Sequence, residues 1–122
     1  MTPKRPLVAI VEDDESIRRA LPRVLTLSGF DVEAYATSRE FLDSLADHLP
    51  ECVILDFHLS EDTAPEVLKL LAAEKIEVPV IVVTAYDDAT KRNQCLAAGA
   101  SDFLTKPYRS DDLIAAIKRA LN

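Results

Sequence analysis

Five polar residues stand where apolar runs of this sequence end, and their types suit one chemistry. Glu12 and Asp13 follow the run Leu7–Val11, Asp56 follows Cys-Val-Ile-Leu at 52–55, Thr84 follows Pro-Val-Ile-Val-Val at 79–83, and Lys106 comes shortly after the run at 101–104. Taken singly, each has an ordinary reading: a turn Asp, a strand-end Thr, a surface Lys, a solvated helix cap. Gathered in one cleft they would behave differently. Two unit charges about 4 Å apart repel by roughly 4 kcal/mol at an effective dielectric of 20, so clustered carboxylates need protons or a cation. A hard divalent ion held by a few carboxylates, a backbone carbonyl and waters is the usual arrangement for magnesium at a phosphate site, and manganese could substitute. Lys106 adds a second positive charge and Thr84 a hydroxyl donor. Such a set would cradle a phosphoryl group transferred onto an Asp56 oxygen.

The elements between must bring these residues together. The apolar runs are short and rich in β-branched residues, which suits strands buried on both faces. A first strand at Leu7–Val11 leads into Glu12-Asp13-Asp14-Glu15, an acidic start favourable to a helix N-terminus. Ile17, Leu21, Val24, Leu25 and Ser28 share one face of that helix, Gly29 ends it, and Pro22 within it predicts a kink. Asp31–Tyr35 alternates as a second strand. Thr37 or Ser38 can cap a helix carrying Phe41, Leu42 and Leu45. The third strand ends at Asp56. Thr63-Ala-Pro-Glu66 has the capping-box spacing, with Pro65 tolerated in the first turn, and its helix should turn Val67, Leu68, Leu70 and Leu71 to the core. A fourth strand at 79–83, a polar helix at 87–98 stopped by Gly99, and a fifth strand at 101–104 follow. Ser110 is expected to cap a last helix with Leu113, Ile114, Ile117 and Leu121 on one face.

Strands alternating with helices argue a parallel sheet with helices on both sides. Right-handed crossovers put every strand's carboxyl end on the same edge. If the chain reverses direction after the second strand, the order is 2-1-3-4-5. The first and third strands are then neighbours, and Glu12, Asp13 and Asp56 meet at the switch point.

Composition narrows the classes. At 122 residues the chain is expected to be one domain, and 48% hydrophobic with 29% charged residues suits a globular fold. A formal net charge of −7 weighs against direct nucleic-acid binding, which needs a basic stripe. No apolar stretch approaches a membrane span and no secretory signal pattern is present, so the expected compartment is the cytoplasm, with no membrane partner. Cys52 and Cys95 match no metal-ligand spacing and read as reduced thiols.

Over nearly its whole length the sequence resembles the response-regulator receiver domains of two-component signalling, which share a doubly wound α/β, flavodoxin-like (βα)5 fold. The resemblance rests on Val11-Glu12-Asp13, Asp56, Thr84-Ala85, the run Ala98-Gly99-Ala100-Ser101-Asp102-Phe103-Leu104, and Lys106-Pro107. It implies a receiver domain over 1–122 with no output domain in this chain. Asp56 would take a phosphoryl group from a histidine kinase or histidine phosphotransferase. Asp13 would bind magnesium directly, Glu12 through water, and His58 through its backbone carbonyl. Arg18 falls where the family's helix-one arginine lies relative to the acidic pair, which favours Glu12 and Asp13 as that pair and leaves Asp14 as the flanking acid. Thr84, Lys106 and Phe103 would form the switch, and His58 and Tyr86 would tune hydrolysis. The readout face would carry Lys91, Arg92, Tyr108, Arg109, Lys118 and Arg119. A downstream protein target or a missing output domain is the implied recipient, with a phosphorylation-dependent dimer as a further option.

Two positions depart from the family pattern. Ser60 and Ala64 stand where Pro and Gly are usual, so the loop after Asp56 must find another geometry. Phe103 lacks a phenol, so its switching would rest on packing alone. Two rival readings stay open. A magnesium-dependent phosphohydrolase with an aspartyl nucleophile would use similar groups, but expects Asp-x-Asp after the first strand and room for a cap domain. A pure interaction domain with an inactive site would need none of them. Flavin binding is disfavoured, because the acidic run after the first strand would repel a phosphate.

Overall fold

Strand and helix alternate five times through residues 5–85 and 88–122, which the computed structural model describes. In chain order these are β1 (Leu7–Val11), α1 (Glu15–Leu27), β2 (Asp31–Tyr35), α2 (Ser38–Ser44), β3 (Cys52–Asp56), α3 (Ala64–Ala73), β4 (Val80–Thr84), α4 (Ala89–Ala97), β5 (Asp102–Thr105) and α5 (Ser110–Leu121). All the pairings are parallel and the sheet order is β2-β1-β3-β4-β5, as the reversal after the second strand requires.

The sheet is covered on both faces because its central strands are apolar at successive positions. Ala9, Val11, Val53, Leu55, Val80 and Val82 point to one side, where Phe41 of α2, Val67, Leu68 and Leu71 of α3, and Cys95 of α4 pack on them. Val8, Ile10, Cys52, Ile54, Ile81 and Val83 point to the other, against Leu25 of α1 and Leu113, Ala116 and Ile117 of α5. The two-residue period of a strand makes this division. β3 and β4 are buried at every residue, while the edge strand β2 is only partly so.

Local chemistry sets the helix ends. The Asp14 carboxylate accepts from the Ser16 and Ile17 amides at 2.8 and 3.2 Å, Thr37 accepts from Glu40, and Asp88 from Thr90 and Lys91. Three helices close with the paired C-terminal bonds of a left-handed cap, at Gly29, Lys75 and Gly99. Lys75 takes φ 57° without being glycine. The cap still seats Ile76, whose amide reaches back to the Leu71 carbonyl at 2.9 Å.

Several local expectations need correction. Ser110 is the first residue of α5 rather than its cap; Arg109 holds the cap position without a side-chain bond. Thr63 gives its hydroxyl to Glu66 Oε1 at 3.0 Å and caps no backbone amide, so the reciprocal box is not formed. By contrast, Pro22 lies inside α1, as expected. β4 and β5 each sit one residue later than expected, and α4 starts at Ala89, with Asp87 outside the described residues. Leu70 is 47% exposed, because the stripe facing the sheet is Ala64, Val67, Leu68 and Leu71, and Leu70 lies off it.

Neighbouring leucines of α3 therefore test the packing. Leu68→Ala should cost about 2–5 kcal/mol in urea unfolding, whereas Leu70→Ala should cost under about 1 kcal/mol. Equal losses would mean that α3 is rotated from the orientation described.

Candidate functional site

The register of the sheet brings the separate strand ends level. Val11 pairs with Leu55, so Glu12 and Asp56 stand side by side one residue further on. Asp56 pairs with Val83, Thr84 with Thr105, and Lys106 follows at once. The backbone there is tied across the sheet: the Glu12 amide donates to the Tyr35 carbonyl at 3.0 Å, Phe57 to Val83 at 2.8 Å, and Lys106 to Thr84 at 2.6 Å. Arg18, one turn into α1, donates from Nη1 to the Glu12 carbonyl at 3.0 Å. That contact places Arg18 beside the pair it was expected to mark.

The side chains converge. Lys106 Nζ donates to Glu12 Oε1 at 3.0 Å and to Asp56 Oδ1 at 3.3 Å. Glu12 is 3% and Asp56 9% exposed, so both acids are withdrawn from water. Burial raises the Glu12 carboxyl, the Lys106 bond opposes this, and Asp56 beside it adds to the rise; the result is a pKa of about 7. Burial works against charge on Lys106 as well, but the bond to Glu12 and the attraction of Asp56 outweigh it and hold the ammonium above its usual range. One cation thus pairs with two buried acids, and burial still leaves Glu12 short of full ionisation near neutrality.

Asp13 completes the group. One oxygen each from Glu12, Asp13 and Asp56 lie within 4.8 Å of one another. An all-carboxylate oxygen set suits a hard divalent cation rather than a soft one, so these residues could hold a metal ion of the magnesium class.

Thr84 is buried at the end of β4. Phe103 pairs with Val82 in the neighbouring strand, so Thr84, two residues beyond Val82, lies on the same face as Phe103. Phe103 is buried in the core under α4, and the Arg92 guanidinium stands over its ring at 5.5 Å. His58 is exposed in the loop after β3, edge-on to the Phe57 ring with centroids 4.8 Å apart. Tyr86 lies outside the described residues. Of the expected readout cations, Arg119 is paired with Asp102 at 3.0 Å, and Lys91 and Arg92 fold over aromatic rings.

The loop after Asp56 solves its geometry without the usual Pro and Gly. The Leu59 amide donates to the Asp62 carbonyl at 3.0 Å, His58 and Thr63 form an antiparallel bridge, and the Ser38 hydroxyl donates to the Asp62 carboxylate. Ala64 sits buried in the first turn of α3 and needs no positive φ. Two contacts were not foreseen. Ser60 Oγ donates to Asp13 Oδ2 at 3.2 Å, and Lys91 Nζ lies 3.4 Å from His58 Nε2 and 5.4 Å from the centre of the Phe57 ring. The sequence marks Ser60 only as a departure from the family, and nothing in it links Lys91 to a residue 33 positions away. The thiols are buried, with burial pushing Cys52 up to about 12 and Cys95 to about 11, as suits inert reduced cysteines.

A family profile, the response regulator receiver domain, matches residues 8–118. The chain belongs to that family. Response regulator MprA of Mycolicibacterium vanbaalenii is 34% identical over 114 residues, covering 93% of this receiver domain and 49% of that protein. Transcriptional regulatory protein TdiR of Thauera aromatica is 33% identical, covering 93% and 50%. Among solved structures, FixJ-N superposes with a TM-score of 0.90 at 32% identity over 97% of this chain and 94% of that one. Chemotaxis protein CheY4 of Vibrio cholerae gives 0.90 at 26%, over 97% and 100%. The chain spans about half the length of the curated relatives it matches. Among the described residues of this receiver domain, no helix is long and apolar enough to cross a membrane.

The raised Glu12 pKa makes a stability prediction for the metal-free domain. At pH below 4.5, folded and unfolded chains both hold the proton on this residue; between 4.5 and about 7 only the folded chain does. Its contribution to stability is thus fully present below pH 4.5 and is lost as pH rises through about 7. Urea unfolding in a chelator should show Glu12→Gln removing this downward slope. An unchanged slope in the variant would assign it to other groups.

Proposed function

We propose that Asp56 is the phosphoacceptor of this receiver domain and that Glu12, Asp13, Asp56 and the backbone carbonyl of His58 hold magnesium beside it. The observation that carries this reading is the Lys106 ammonium bonded at once to Glu12 and Asp56, with Asp13 completing a hard-oxygen cluster at one sheet edge. Magnesium, or manganese in its place, supplies charge neutralisation for phosphoryl oxygens when bound. The chain's own residues do the rest. An Asp56 carboxylate oxygen attacks phosphorus in a partner's phosphohistidine, and the P–N bond breaks with its electron pair left on the imidazole. Lys106 is placed to transfer its attraction from the carboxylate pair to the arriving anion.

Thr84 and Phe103 supply the response. The Thr84 hydroxyl lies at the strand end next to the acceptor's neighbour Val83, and it would donate to a phosphoryl oxygen. Phe103, on the same face under α4, would follow by repacking, since it has no hydroxyl to bond elsewhere. The surface of α4, β5 and α5 then presents the changed state to a downstream target or an output domain. His58 stands exposed beside the acceptor and, with Tyr86, would slow the approach of hydrolytic water. The donor is a histidine kinase or histidine phosphotransferase, the setting cytoplasmic, and no external substrate is turned over. The net charge of −7 supports a partner other than nucleic acid for this domain. Association of two copies on phosphorylation is part of the same proposal.

Intact mass after incubation with magnesium and a small acyl-phosphate donor tests the acceptor. The parent should gain one phosphoryl group, and Asp56→Asn none. Stoichiometric labelling of the variant would contradict the assignment. A second test concerns Lys106. Lys106→Ala should still bind magnesium, yet amide resonances of α4 and α5 should no longer move on phosphorylation. Normal shifts there would remove Lys106 from the switch.

A further inference from the structure

We infer that Ser60 is a positioning residue for the metal site, its hydroxyl holding the Asp13 carboxylate in place beside Glu12 and Asp56. The inference rests on the metal-site reading above and adds a residue to it. Glu12 and Asp56 are buried and share Lys106, so their carboxylates are oriented without help. Asp13 is different. It is exposed, and among the described residues the Ser60 hydroxyl is the side-chain partner of its carboxylate. An exposed Asp otherwise loses rotamer freedom when it ligates an ion, which weakens binding. The bond joins residues 47 positions apart, from the end of β1 to the loop after β3.

The donor is itself held. Ser60 follows Leu59, whose amide bonds the Asp62 carbonyl at 3.0 Å, and the His58–Thr63 bridge closes the loop around it. Asp62 is anchored in turn by the Ser38 hydroxyl of α2. The Ser60 hydroxyl bonds Oδ2 of Asp13, and an ionised carboxylate has acceptor capacity beyond that one bond. Groups that hydrogen-bond a ligating carboxylate orient it, and removing them commonly weakens metal affinity ~10-fold or more. The Ser60 contact is exposed, so the low end of that range applies. A proline at this position would supply no donor.

Titration calorimetry with magnesium chloride on the full chain, paired with melting temperature in a chelator, tests the inference. Ser60→Ala should weaken magnesium binding by ~10-fold, with the chelator melting temperature unchanged. Ser60→Thr, which keeps the hydroxyl, should return the affinity toward the parent value. Unchanged affinity in Ser60→Ala would overturn the inference. So would a weakening that Thr does not rescue, or one matched by a fall in the chelator melting temperature, since either would make Ser60 a loop residue only. A parent chain that binds no magnesium would overturn the metal-site reading and this inference with it. Asp13→Asn marks that failure, because it should abolish binding only if the reading holds.

Discussion

Two carboxylates buried side by side need a proton or a cation to offset their repulsion, and here the cation is Lys106. Its ammonium lies 3.0 Å from Glu12 and 3.3 Å from Asp56. Removing it would leave two acids in low dielectric with nothing to offset their repulsion. The arrangement is nonetheless incomplete electrostatically. Burial, with Asp56 alongside, raises Glu12 to about 7 despite the bond from Lys106. A site in this condition stabilises further positive charge, and once that charge is present it can accept an anion. The three acids could on that account hold a divalent cation.

The imbalance is held because the platform under it is rigid. β1, β3 and β4 lie in the middle of the sheet with apolar side chains on both faces, so none can shift without opening one of two packed cores. Glu12 directly after β1, Asp56 at the end of β3 and Thr84 at the end of β4 inherit that rigidity. Glu12, Asp56 and Lys106 come from sequence positions far apart, yet the strand register alone sets them level. At the rim lie the loop carrying His58 and Ser60 and the helix α4. Lys91 and Arg92 in that helix rest on Phe57 and Phe103, rings that adjoin the acceptor and the fifth strand. Any movement of Phe103 must therefore be felt by α4 directly.

Some details of chain folding were decided by competition that propensity does not register. Thr63 has the spacing of a capping box, but its hydroxyl goes to the Glu66 side chain. Leu70 belongs to an apolar stretch, yet the stripe of α3 that meets the sheet is complete without it. Lys75 adopts the left-handed conformation usually left to glycine, because the helix end must turn Ile76 back toward the core.

Element order, the parallel sheet and the gathering of Glu12, Asp13, Asp56 and Lys106 were legible in the sequence, and for one reason. Short, β-branched apolar runs alternating with helical patterns suit buried parallel strands, and polar residues at the carboxyl ends of parallel strands gather at one sheet edge. Side-chain type then declares the chemistry. The tertiary structure alone decided the contacts that span the chain: Ser60 on Asp13, Lys91 beside His58, Arg92 over Phe103, and the sharing of Lys106 between Glu12 and Asp56. Those depend on where long or rotatable side chains come to rest once helices dock. Docking is set by the fit of whole faces, which no local pattern encodes.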